Sequence, residues 1–319
     1  MNYFVTGGAG FIGSNLVDEL LKDAQNMVTI YDNFSTGFEE FIKHLSVKPN
    51  VTIIKGDLLD EKYLNKSMQN QDFVFHLAAN ADIRFGLEHP RKDLEQNTIA
   101  TFNVLEAMRK NNVTKIAFSS TGPVYGESKV IPTPEDCPFP VQTSLYASSK
   151  LAGEALISSY CEGFGFTGYI FRFVSILGER YTHGHVFDFY KNLMENQNEL
   201  YILGNGKQRK SYLYIKDCIN AILTIINNAG NKVNIYNLGT DEYCEVNQSI
   251  NWICEYLGLH PKLIYSGGER GWIGDNPFVF LDCTKIKNLG WKAEYSIKQS
   301  ILKTVKYLEN NKWVFKNRI

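Results

Sequence analysis

Apolar positions in the first half of the chain recur in two rhythms. NYFVT (2–6), MVTIYD (27–32), VTIIKGD (51–57), FVFHLAA (73–79) and KIAFSS (115–120) are short runs rich in β-branched and aromatic residues, and they predict buried strands. FIGSNLVDELLKD (11–23) and RKDLEQNTIATFNVLEAMRKN (91–111) instead space their apolar residues at helical intervals. A further helix is predicted from near Tyr146 to about Cys161, followed by a strand at TGYIFRFV (167–174). Strands that alternate with helices pair in parallel through right-handed crossovers. The expected fold is therefore a doubly wound parallel α/β sheet with helices on both faces. Beyond Ser175 the rhythm breaks into shorter mixed elements, with Gly and Asn turns at LGNGKQ (203–208) and YSGGERGWIGDNP (265–277). The expectation is one domain over 1–174 and a smaller mixed α/β domain over 175–319, with room for segments that return to the first. Their cleft is the expected ligand site.

Composition narrows the partners more than the fold. Of 319 residues, 44% are hydrophobic and 21% charged, ordinary values for a globular chain. With 33 basic and 34 acidic residues the formal charge is −1, so no basic field is available to hold nucleic acid. The start, MNYFVTGG, lacks a basic segment and a long apolar core, and no apolar run approaches the roughly 18 residues of a membrane span. The cysteines at 137, 161, 218, 244, 254 and 283 lie far apart without a CxxC, a pattern of buried thiols in a reducing compartment. A soluble cytoplasmic protein without membrane or nucleic-acid partners is the expectation.

TGGAGFIGSN (6–15) follows the first strand and opens a helix, and it holds Gly7, Gly8, Gly10 and Gly13. Glycines there let the backbone approach a pyrophosphate, which sits at the positive end of the helix. The second strand ends in Asp32, nineteen residues after Gly13, where a carboxylate accepts ribose hydroxyls and repels a 2′-phosphate. Asp57, at the end of the third strand, is placed to meet an adenine amino group. These features predict a Rossmann fold that binds NAD rather than NADP.

SLYASSK (144–150) sets Tyr146 and Lys150 four apart on one helix face. A phenol ordinarily ionises near pH ~10. A nearby ammonium and the positive charge of oxidised nicotinamide both favour the phenolate, which makes Tyr146 a candidate base for an alcohol proton.

In one order, the glycine turn, the strand-end acids, SST (119–121) and the YxxxK pair resemble the extended short-chain dehydrogenase/reductases. The resemblance is to the nucleotide-sugar epimerase/dehydratase group that includes UDP-galactose 4-epimerase. It continues through FHLAANAD (75–82), Asn97, FRFVSILGER (171–180), GNGKQRKSYLYIKD (204–217) and ERGWIGDNPFVFLDCTKIKNLGW (269–291). It implies that Thr121 and Tyr146 bond the sugar hydroxyl to be oxidised, and that Lys150 binds the nicotinamide ribose. It also implies an NAD site built from Gly7, Gly10, Phe11, Ile12, Gly13, Asp32, Asn33, Asp57, Leu58, Leu77, Ala78, Ala79, Asn97, Tyr146 and Lys150. For the nucleotide-diphosphate sugar it implies Arg84, Thr121, Ser175, His185, Lys210, Arg270 and Asp275. The helices at 91–111 and 146–161 imply a homodimer through a four-helix bundle.

SSTGPVYGE (119–127) separates the reactions this group performs. In the dehydratase branch an Asp-Glu pair follows the Thr, whereas Gly122 and Pro123 stand here and transfer no proton. A 4,6-dehydratase is therefore disfavoured. What remains is C4 oxidation with hydride transfer to NAD, followed by re-reduction (a 4-epimerase) or by release of the ketone (a 4-dehydrogenase). A non-catalytic NAD-binding regulator would not need Thr121, Tyr146 and Lys150 together. Two departures bear on the substrate: Ser175 replaces an Asn, and Lys210-Ser211 replaces Arg-Asp, exchanging a planar fork for a point charge. His183 and His185 flank a Gly without further ligands at metal spacing, so a loop role is expected and no metal. Trp272 is expected to pack.

Overall fold

The computed structural model describes residues 1–80, 85–139, 141–272 and 275–315. The predicted strands form as β1 (Asn2–Thr6), β2 (Met27–Asp32), β3 (Val51–Lys55), β4 (Phe73–His76), β5 (Lys115–Thr121) and β6 (Thr167–Phe173), with β7 (Val233–Leu238) joining them; β3, expected to be buried, is instead exposed or half-buried because it forms the sheet edge. Together they make a seven-stranded sheet in the order β7-β6-β5-β4-β1-β2-β3. β1 runs parallel between two neighbours, with Val5 opposite Ile30 of β2 and Phe75 of β4. The chain thus builds outward from β1 to β3 and then crosses back to β4. That reversal opens a crevice at the carboxyl ends of β1 and β4.

The helices that bear on the site are α1 (Phe11–Leu20), α2 (Glu61–Ser67), α3 (Ala100–Lys110) and α4 (Leu145–Phe164). Phe4, Val74, Ile116, Phe118 and Ile170 of the strands pack with Val104 and Met108 of α3 and Ile157 of α4, all buried. α4 starts where the Ser144 hydroxyl accepts the Ala147 N–H and stops at Gly165, whose φ of 70° suits glycine.

One helix differs from its sequence reading. The stretch 91–111, predicted as a single regular helix, is a short α-turn (Pro90–Asp93), then a π-helical segment (Leu94–Ile99), then α3. Asp93, just before the wider turn, and Asn97 within it are both buried and hydrogen-bonded. Apolar spacing alone cannot reveal an extra residue within a turn.

Two compact units emerge. The first takes Met1–Val124, Ser144–Arg172 and Ile222–Tyr236; the second takes Tyr125–Thr143, Phe173–Ala221 and Asn237–Ile319. Short strand pairs and helices make up the second: Ser175–Leu177 beside Tyr212–Tyr214, Glu199–Ile202 beside Lys262–Tyr265, and Arg209–Lys210 between Cys244–Glu245 and Phe278–Val279. Its helix Ile297–Asn310 opens with a capping box of Ser296 and Gln299. Among the described residues no helix is long and apolar enough to cross a membrane.

Candidate active site

The turn after β1 is shaped around absent side chains. Gly7 has φ +69°, and a Cβ there would lie 2.7 Å from the backbone nitrogen of Ala78, just after β4. A Cβ on Gly13 would lie 2.2 Å from the Gly7 carbonyl oxygen. Gly10 caps α1 without a side-chain hydrogen bond, so the backbone start of the helix at Phe11, Ile12 and Gly13 is not closed by its own cap residue. Leu77, Ala78 and Ala79 follow β4, and Thr6 ties them to β1. Its carbonyl accepts from Leu77 N at 3.2 Å and its hydroxyl from Ala78 N at 3.3 Å.

Asp32 ends β2 nearly buried. Burial raises its carboxyl pKa, while hydrogen bonds from the Phe34 and Ala9 backbone, each 2.9 Å long, act the other way. Each oxygen thus accepts one N–H and keeps capacity for ribose hydroxyls. Asn33 donates to Asp57 at 3.2 Å, and Leu58 is buried beside them. The cradle, the uncapped helix start and the acceptor set fit a dinucleotide.

Tyr146 and Lys150, paired by their spacing, lie beside the end of β5 that carries Thr121, the residue implied by the resemblance, but their electrostatics differ from the sequence reading. Tyr146 is hydrogen-bonded to Thr121. Burial pushes its phenol up to about 12; the Thr121 bond lowers it and Asp93 raises it. Burial also pulls Lys150 down to about 7, against the raising effect of Asp93 and Glu154. The Lys150 ammonium donates to the Ser119 carbonyl at 2.8 Å and lies 4.7 Å over the Phe118 ring. Desolvation therefore outweighs the mutual help expected of the pair, because both groups lose water on the same buried helix face.

Asn97, expected at the cofactor site, and several polar residues that the sequence reading passed over support this centre. Asn97 donates to Ser149 at 2.9 Å and to Asp93 at 3.3 Å, and its oxygen accepts from Asn80 N at 2.8 Å. His76 is fully buried between the hydroxyls of Thr6 (2.8 Å) and Thr101 (2.9 Å). Burial pulls it down to about 3, so it is neutral at physiological pH and orients the Thr6 hydroxyl that accepts from Ala78. A single buried His or Asp carries no periodic signal.

In the second unit, Lys210 donates to Asp275 at 2.9 Å and to the Asn276 carbonyl. Asp275 also accepts from Gly271 N at 3.0 Å. Arg270 bridges Glu127 at 2.6 Å and the Asp275 carbonyl at 2.9 Å. Three of the predicted substrate residues thus form one cluster. His185 lies apart from these bonds, joined to Ser249 at 2.8 Å and packed on Tyr212; Ser175 is exposed. Trp272 is partly buried, with its indole N–H enclosed and Lys210 5.9 Å from its ring. Arg84 lies outside the described residues.

A doubly wound sheet with a glycine turn at its switch point defines an enzyme of the dinucleotide-dependent α/β class. More narrowly, the chain belongs to the NAD dependent epimerase/dehydratase family, which matches residues 3–239. A putative UDP-glucose 4-epimerase of Methanocaldococcus jannaschii is 33% identical over 313 residues, 96% of this chain and 98% of the relative. A crystal structure of UDP-galactose 4-epimerase superposes with a TM-score of 0.87 at 34% identity, covering 98% of this chain and 100% of that one. UDP-glucuronic acid 4-epimerase from Bacillus cereus, in complex with UDP-glucuronic acid and NAD, gives 0.89 at 26% identity, covering 97% and 99%. The protein is an extended short-chain dehydrogenase/reductase whose cofactor is NAD and whose class of reaction is nucleotide-sugar modification.

The position of Asp32 yields a quantitative expectation. A 2′-phosphate would face a nearly buried carboxylate, and such like-charge juxtaposition costs several kcal/mol. Titration should show NAD bound at least about tenfold more tightly than NADP, a margin of ~1.4 kcal/mol. Asp32→Ala should weaken NAD and erase the margin; equal affinities in the wild type would contradict the assignment.

Proposed function

We propose that this enzyme is a nucleotide-sugar 4-epimerase: it oxidises C4 of a sugar nucleotide and re-reduces the ketone on its other face. The observation that carries this reading is the Thr121–Tyr146 hydroxyl pair followed directly by Gly122 and Pro123. The pair supplies a proton acceptor and its hydrogen-bond partner, and the residues after it supply no acid to expel water.

NAD, when bound, supplies the hydride acceptor and a cationic ring whose charge favours the Tyr146 phenolate. Tyr146 then takes the C4 hydroxyl proton while Thr121 holds that hydroxyl in place. Lys150, in its protonated form, helps to stabilise the phenolate. On re-reduction Tyr146 returns the proton. Lys210, Arg270 and Asp275, with Ser175 and His185, hold the nucleotide diphosphate and sugar in this reading. A diphosphate would draw Lys210 and Arg270 away from their present carboxylate partners. The exposed apolar side chains Leu94, Ile99 and Phe102 support pairing of two copies along these helices.

Epimerisation requires the ketone to turn over while its diphosphate stays anchored. Lys210 in place of an Arg weakens the geometric hold on that anchor, which favours net 4-dehydrogenation as the second reading. Incubation with a nucleotide-sugar panel separates the outcomes. A C4 epimer seen by NMR, with the cofactor returned to NAD and no mass change, is expected. Stoichiometric NADH with a released ketone would establish the dehydrogenase. Loss of one water from the product would overturn both.

A further inference from the structure

Glu154 occupies the same face of α4 as Tyr146 and Lys150, one turn beyond the lysine. Each of these three side chains meets one of three consecutive residues on β5. Tyr146 pairs with the Thr121 hydroxyl. Lys150 donates to the Ser119 carbonyl at 2.8 Å. Between them the Ser120 hydroxyl donates to Glu154 Oε1.

Arg172 of β6 fixes the carboxylate from a second strand. Its Nε donates to Glu154 Oε1 at 3.0 Å and its Nη2 to Oε2 at 2.7 Å. Arg172 and Glu154 are 2% and 4% exposed. A buried ion pair is poor evidence for stability, because removing two charges from water offsets most of their attraction. What such a pair does supply is direction. The guanidinium fork holds the carboxylate plane, and that plane sets where the Ser120 hydroxyl must lie.

We propose that Ser120, Glu154 and Arg172 are positioning residues that lock β5 against α4 in register, so that Thr121 and Tyr146 present their hydroxyls to the same substrate atom. This rests on the reading of Thr121 and Tyr146 as the reacting pair. Displacement of that pair by a fraction of an ångström leaves binding largely intact and slows the chemical step.

The decisive variant is Ser120→Ala, which removes one hydroxyl and leaves the ion pair whole. The expected result is a kcat lowered by about tenfold or more, with the KM for sugar nucleotide and the NAD affinity within about twofold of wild type. Thermal stability should be nearly unchanged. Arg172→Lys, which keeps the charge and loses the fork, should lower kcat in the same manner. If it does not fold, Ser120→Ala still decides. A wild-type kcat in Ser120→Ala overturns the proposal. So does a fall in kcat matched by lost NAD affinity and lost stability, since that would mark a general structural role.

If the wild-type enzyme turns over no sugar nucleotide, the reading of the reaction fails separately. Positioning is then judged from tyrosine ionisation followed by ultraviolet absorbance, with the step missing in Tyr146→Phe assigned to Tyr146. Loss of register weakens the Thr121 bond that lowers this phenol, so the step should move to higher pH in Ser120→Ala. An unmoved step overturns the proposal.

Discussion

Tyr146→Phe should abolish sugar oxidation while the protein still binds NAD. The ring is half-buried on α4, and its benzyl body packs equally well without the oxygen. What disappears is the one proton acceptor paired with Thr121. A positioned general base contributes about 10²–10⁴-fold, so kcat should fall by that factor with little change in cofactor affinity. Turnover near the wild-type rate would move the base elsewhere.

A spectroscopic expectation accompanies the kinetic one, and its sign follows from burial. Burial holds the phenol at about 12 in the protein alone, so almost none of it is ionised at neutral pH. A neighbouring cation favours the phenolate and lowers that value. Addition of NAD should therefore move the Tyr146 ionisation step to lower pH, whereas NADH, with its uncharged nicotinamide ring, should move it much less. Equal shifts with both forms would show that cofactor charge does not activate this residue.

Strand and helix order in the first unit was legible because each element there has a period of its own, and because glycine positions report a backbone that other residues cannot adopt. Tyr146 and Lys150 were legible from a shared helical spacing, whereas Thr121 came only through the family resemblance. The supporting shell was not. Glu154 and Arg172 are 18 residues apart on a helix and a strand, and each alone reads as an ordinary surface charge. Asp93 lay within a stretch whose apolar spacing suggested a regular helix, yet it is buried at the junction with the π-helical segment. Burial also reversed the expected electrostatics of Tyr146 and Lys150, since a sequence shows which charges are near but not how much water they lose. Lys210, Arg270 and Asp275 came from the family resemblance, which does not reveal that each already holds a partner.

Gly13→Ala should cost the protein its cofactor site, and a second Gly→Ala change supplies the control. The added methyl at position 13 would lie 2.2 Å from the Gly7 carbonyl oxygen and 2.8 Å from the Gly8 Cα, both backbone atoms. Neither can yield easily. Gly7 is held by its N–H bond to the Tyr31 carbonyl at 3.0 Å, and Ala78 N stands 2.7 Å from where its own Cβ would be. α1 must instead move away from the turn, carrying the start of the helix off the pyrophosphate position. Overpacking of this kind costs about 1–3 kcal/mol or more, so the melting temperature should drop. A displaced anchor should also weaken NAD by at least about 100-fold, the equivalent of ~2.7 kcal/mol. Gly163, near the end of α4, is exposed, and a methyl there would meet nothing within 4 Å. The same substitution at that site removes only backbone freedom from the unfolded chain and should stabilise by about 0.4–1 kcal/mol. Calorimetry and NAD titration of the two variants should therefore diverge in sign for stability and in magnitude for binding. Wild-type NAD affinity in Gly13→Ala would mean that the turn after β1 does not carry the pyrophosphate.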